Sequence, residues 1–233
     1  MFDRLKRAFS RDATADTGAH AQSIGSAHAQ NQVSEWAGLQ GLAYSSRGEG
    51  RGFVLDGQVR GKPWRMERGK PSRDFIRGEE LRARAELGVR DDVAVLIMNR
   101  HLKEELEKRA FAIYTDSLQT TVDPQLPEEM RWLAMYEEVG WDTLSMPFWK
   151  NYAILSDQKD DAMAWITPQM CEMLMNWPLQ DPTRPMIMML LRGKAYLRML
   201  HVPDNQAMVE HASAVFICAC EAAVAGLSTD LSL

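Results

Sequence analysis

The period of the apolar positions changes several times along the chain, and each change marks an element. Val33, Trp36, Leu39, Gln40 and Tyr44 sample a helical stripe, with Ser34 or Asn31 as its cap. Gly48, Gly50 and Gly52 interrupt that stripe. Phe53, Val54, Leu55 and Val59 then read as a strand, Gly61 supplies a turn, and Trp64 to Glu67 form the returning strand. Asp56-Gly57 is a rival turn, which leaves the register open. Leu81, Ala83, Ala85 and Leu87 alternate with Arg82, Arg84 and Glu86, the period of a half-buried strand. Val93 to Met98 is nearly continuously apolar, which predicts a central strand.

Helical spacing returns over His101 to Tyr114, where Leu102, Leu106, Ala110 and Ile113 share a face. Two more strands are expected at Met130–Tyr136 and Trp149–Leu155. Ser156 or Asp157 would cap a helix through about Ile166. Thr167-Pro168 would start another that stops before Pro178. Met186–Leu191 and Ala195–Val202 form a second hairpin around Gly193, and a last helix runs from about Asn205 to Gly226. Hairpins with flanking helices give an α+β class with a mainly antiparallel sheet. The expected organisation is a tail over 1–31, one α+β domain over 32–228 and a short tail over 229–233.

The leader has its own pattern. Met1, Phe2, Leu5 and Phe9 fall on one helical face, with Arg4, Lys6 and Arg7 mainly elsewhere. A membrane surface could be met by residues 1–10, although one short apolar face binds weakly. From Arg11 to Asn31 the composition is Ala, Ser, Gly, Gln, Thr and His, too poor in large apolar groups to offset ordering entropy. His20 and His28 have no Cys or carboxylate at metal spacing. The apolar residues near the start are isolated, which excludes a secretory signal, and no stretch approaches the ~18–20 apolar residues of a membrane span. Three cysteines, Cys171, Cys218 and Cys220, are placed for burial as free thiols, and the expected compartment is the cytoplasm.

Charge refines the picture. The 233-residue chain has 27 Lys and Arg against 32 Asp and Glu, a net of −5, so whole-surface binding of nucleic acid is not expected. The distribution is uneven: Arg47–Arg109 has 16 basic and 12 acidic residues (+4), whereas Ala110–Leu233 has 7 and 16 (−9). Within Arg47–Arg77 the balance is 9 to 4, with Phe53, Trp64 and Phe75 interleaved. Arg60, Lys62, Trp64, Arg65 and Arg68 are therefore candidates for an anion-binding face. A solvated edge opposite the acidic half explains the same run more simply. Arg60-Gly61-Lys62 recurs as Arg192-Gly193-Lys194, each with an aromatic two residues beyond the Lys. Hairpin turns require Gly and tolerate flanking cations, which explains the echo without duplication.

No catalytic or metal motif emerges. Ser156-x-x-Lys159 has the spacing of a Ser nucleophile with a Lys base, but its companion motifs are missing and a Ser there is ordinarily a cap. Gly48-x-Gly50-x-Gly52 precedes a strand instead of opening a helix, so it is no phosphate cradle. His101 with Glu104 or Glu105, and His211 with Cys218, lack a third ligand. Adjacent acids such as Glu137-Glu138 diverge and make no dyad. Twelve of the fifteen methionines lie from Met130 onward. With Trp165 and Trp177, the residues Met170 and Met173 could line a plastic groove for a partner helix, or fill a soft core.

Tyr152-Ala153-Ile154-Leu155-Ser156-Asp157, followed by Ala162, Ile166-Thr167-Pro168 and Leu174, resembles a family of uncharacterised bacterial domains of unknown function. In that family a strand ending in Val-Tyr-x-x-Asp leads to Ala-x-x-x-Leu-Thr-Pro. Phe53, Leu55 and Gly57 resemble its earlier strand, and the aromatic spacing at Trp149 to Tyr152 departs from it. The resemblance implies a bacterial origin and carries no activity. The leading expectation is a non-enzymatic binding or scaffold protein with a protein partner and no cofactor. A peripheral anion-binding protein and an enzyme with an unrecognised site are the alternatives.

Overall fold

The computed structural model describes residues 31–48, 52–117 and 127–228. The proposed leader at 1–10, His20, His28 and the tail at 229–233 lie outside the described residues. Helix α1 covers 31–39 and is followed by β1 (Ala43–Ser46), β2 (Phe53–Val59), β3 (Lys62–Gly69), β4 (Glu80–Glu86) and β5 (Ala94–Asn99). Next come α2 (Arg100–Ser117), α3 (Glu128–Met135), β6 (Glu137–Glu138), α4 (Met146–Asn151) and β7 (Tyr152–Ser156). The chain continues through α5 (Lys159–Trp165), α6 (Pro168–Met175), β8 (Met186–Leu191), β9 (Lys194–Leu200) and α7 (Gln206–Leu227). The class is α+β. The strands form one nine-stranded sheet in the order β1-β2-β3-β4-β9-β8-β5-β7-β6, antiparallel throughout.

Both hairpin turns fall at the expected glycines. Arg60 (φ 51°) with Gly61 (φ 74°), and Arg192 (φ 52°) with Gly193 (φ 71°), are two-residue loops with both φ angles positive. That is the handedness that matches strand twist. Asp56-Gly57 lies within β2 and makes no turn. Gly52 (φ 110°) is required for a second reason: a Cβ there would come within 2.0 Å of the Arg68 carbonyl oxygen.

Four expectations are corrected. Tyr44 belongs to β1 and not to the first helix, because Gly41 (φ 69°) ends that helix and releases the chain to pair with β2. Met130–Met135 is helix, not strand: Pro127 stands at its cap and Glu128 and Glu129 meet its first-turn dipole. Trp149 to Asn151 finish α4, whose N-cap Ser145 accepts from the Phe148 N–H, so the strand starts only at Tyr152. Ser156 ends β7 and does not cap α5; its hydroxyl lies between the Ala94 carbonyl at 2.9 Å and the Gln158 N–H at 3.2 Å. Thr167 caps α6 as expected, and α7 starts where a last helix was expected, with Asn205 as its cap.

One face of the sheet is covered along its length. Leu55, Trp64, Met66, Leu81, Val95, Ile97, Ile154, Met188 and Leu197 meet α7, α5 and α6 there, with Val33 and Ala37 of α1 closing one end. Helix α7 is long and apolar enough to cross a membrane by length and composition, contrary to the expectation that no stretch approaches that limit. Packing explains its composition here: its own Val209, Val215, Phe216, Ala219 and Cys220 are buried in the core.

The opposite face is covered only in part. Helices α2 and α3 lie over β5, β7 and β8, where Leu96, Met98, Leu155, Ile187 and Met189 join Leu102, Leu106 and Trp132. Over β2, β3, β4 and β9 that face carries Asp56, Arg65, Glu67, Arg82, Arg84, Tyr196 and Arg198, and none of the described helices covers it. The candidate site lies at the boundary between these two halves.

Candidate functional site: a cleft at the covered edge of the open face

The residues singled out in the sequence do not share one surface. Arg60 and Lys62 flank the β2–β3 turn. Arg65 is on the open face, where its Nε donates to Asp56 at 2.7 Å. Trp64 and Arg68 point to the opposite side; Trp64 is buried against Phe216, and Arg68 meets Glu79 at 3.1 Å. Arg47 pairs with Glu67 and Arg73 with Glu128, so much of the positive run meets carboxylates within the fold. Trp165 and Met170 are core side chains with no exposed surface, and the Trp165 indole donates to the Ala219 carbonyl.

Met173 and Trp177 are half-buried and serve the fold as well. The Met173 carbonyl contacts Nε2 of His211 at 2.8 Å, and the Trp177 ring packs on the same imidazole. Trp177 Nε1 donates to the Tyr152 hydroxyl, whose pKa burial pushes up to about 12 despite that bond. The methionines beside them enclose a cavity of about 60 Å³, room for roughly two waters.

The larger opening is on the other face. A cleft of about 770 Å³ has its floor on β8 and β9 and one wall on α3. Met189, Leu191 and Tyr196 form the floor. Trp132, Met135 and Tyr136 come from α3 and its C-cap, and Met135 is 60% exposed. Strand alternation places Tyr196 and Arg198 on this side of β9, while Leu197 and Met199 enter the core beneath α7. Helical spacing sends Trp132 onto the sheet while Arg131 and Met135 line the opening.

Four arginines reach the cleft: Arg73, Arg131, Arg192 and Arg198. Arg73 lies 5.9 Å over the Trp132 ring and pairs with Glu128. Arg198 donates to Glu80 at 2.7 Å, and that carboxylate is fully buried and also accepts from the Ser72 N–H at 2.8 Å. The side chains of Arg131 and Arg192 make no hydrogen bond or ion pair among the described residues. The Nε atoms of Arg73, Arg131 and Arg198 are buried without an acceptor. Burial raises the Tyr136 phenol pKa, and the nearby Asp157 adds to that rise.

Among the described residues that line this opening there is no Cys, Ser, His or Lys. The three thiols lie elsewhere in the core; burial pushes Cys171 up to about 12 and also raises Cys218 and Cys220. Lys159 makes no contact with the Ser156 hydroxyl, which is held by backbone groups. Among the described residues no group of three or more His, Cys, Asp or Glu side chains could hold a metal ion.

The sequence contained partial signals for this cleft. Arg82 and Arg84 alternate with apolar residues, and Tyr196 and Arg198 do the same, which marks one polar face. The α3 wall was hidden by its reading as a strand.

No family model matches the chain, and no curated protein matches it. Among solved structures it is similar to the crystal structure of the mycobacterial trehalose monomycolate transport factor A, TtfA, at 13% identity. The TM-score is 0.45, over 84% of this chain and 94% of that chain, a partial likeness of architecture that carries no functional argument.

Proposed function

We propose that the chain is a non-enzymatic binding or scaffold protein whose contact with a protein partner is made through the cleft between α3 and β8–β9. One observation supports this most: an opening of about 770 Å³ joins aromatic and methionine side chains to four arginines, of which the Arg131 and Arg192 side chains have no carboxylate partner among the described residues. Aromatic, Met and Arg side chains are those enriched where proteins meet. Met135 and Met189 can adjust to different shapes. Under this reading residues 32–228 act as one α+β unit. The three free, buried cysteines suit a reducing bacterial cytoplasm.

Site-specific photocrosslinking in cells tests the proposal. A photoreactive phenylalanine at Tyr196 should give a discrete adduct with another protein. The same group at Met163, an exposed residue of α5, should give none. Equal labelling from both positions, or none from Tyr196, would remove the cleft as the contact surface.

A further inference from the structure

The charges around this cleft are sorted by position. At one end stand Arg73, Arg131 and Arg198, with Glu128 as the only acid among the lining residues there. The acids behind that end, Glu80 and Glu129, are buried and face Arg198 and Arg73 from outside the opening. At the other end stand Asp91, Asp92 and Asp157, with Arg192 as the only lining cation. Strand register sets this second end. Ala94 lies opposite Leu191 and Val95 opposite Ser156, so Asp91 and Asp92 before β5 and Asp157 after β7 gather beside the β8–β9 turn. Asp91 and Asp157 have no ion-pair partner among the described residues, and Asp92 reaches only Arg90 at 3.7 Å. Between the two ends lie Tyr196, Trp132, Tyr136 and Met189.

Lys194 to Arg198 spans roughly 13 Å at about 3.3 Å per strand residue. That length accommodates about four extended residues or two helical turns. Resting on the protein-binding reading of this same cleft, we infer that its occupant is a peptide segment with sorted charge. An apolar or aromatic centre would sit on Tyr196 and Met189. An acidic side chain would lie toward Arg131 and Arg198, and a basic one toward Asp157 and Asp91. A uniformly anionic ligand meets carboxylates at one end, and a uniformly cationic ligand meets guanidinium groups at the other. Each suffers like-charge contact that the sorted segment avoids.

Fluorescence anisotropy with four labelled peptides tests this, each titrated to about millimolar, the weak end of the affinity scale. The sorted probe is Glu-Glu-Ile-Trp-Leu-Lys-Lys. Its controls are the same composition with mixed ends, Glu-Lys-Ile-Trp-Leu-Lys-Glu, and the all-Glu and all-Lys versions. The sorted probe should bind about tenfold more tightly than each control, a difference of about 1.4 kcal/mol. Asp157→Lys, at an exposed position, should shift the preference toward the all-Glu probe. Tyr196→Ala should weaken all four. Equal affinities that all fall with Tyr196→Ala would overturn the sorted-charge inference and leave the cleft standing. Absence of binding by every probe, or binding indifferent to Tyr196→Ala, would overturn both.

Discussion

His201 shares a small buried space with Arg68, Phe53, Asp204 and Val209, and its ring finds none of the partners it would have in water. Both ring nitrogens of His201 are unbonded. Burial, and secondarily the Arg68 guanidinium, lowers its pKa to about 4. The folded protein therefore holds the neutral ring, while the unfolded chain takes up a proton near 6.5. Stability from this group is complete above that value and is lost as pH falls toward about 4. Between about pH 7 and pH 5 the loss should be on the order of 2 kcal/mol. Urea midpoints at the two pH values measure it, and His201→Phe should flatten the dependence. An unchanged slope in that variant would assign the effect to other groups. The sequence names His201, but its burial depends on β9 lying beside β4 and below α1, which no local pattern encodes.

At the scale of elements, strong punctuation was legible and weak punctuation was not. The two Arg-Gly-Lys turns, the Thr167-Pro168 start and the Asn205 cap appear where glycine, proline and capping side chains placed them. The Met130–Tyr136 run misled because its apolar residues fit a period of two as well as a short helix; Pro127 and the acidic first turn decide for helix. Contacts between elements were less visible still. A Cβ on Gly226 near the end of α7 would come within 2.5 Å of the Ala164 carbonyl oxygen in α5. Gly226→Ala should therefore destabilise the protein by about 1–3 kcal/mol through displaced backbone, despite the better helix propensity of alanine. Thermal unfolding of the variant checks this, and a raised midpoint would show that the α5–α7 contact yields without cost.

For the whole molecule, the decisive feature is a sheet with one face fully covered and the other covered over only part of its width. Strand alternation announced it: Arg82, Arg84 and Arg198 oppose core residues on the same strands. The strand order did not follow from the sequence, since β4 pairs with β9 across more than a hundred residues. That pairing brings Tyr196 beside Arg84 and carries Arg198 to Glu80. The methionine-rich half drew attention as a groove, but Met170, Met186, Met188 and Met199 fill the core, and the opening formed on the opposite side of the sheet.

The most direct test is a two-dimensional NMR titration of the isotopically labelled chain with the sorted peptide. The account predicts shifts concentrated at Arg131, Tyr136, Met189, Arg192 and Tyr196, with the β2–β3 turn and the Trp177 region unmoved. Shifts centred on Arg60 and Lys62, or on Met173 and Trp177, would contradict it.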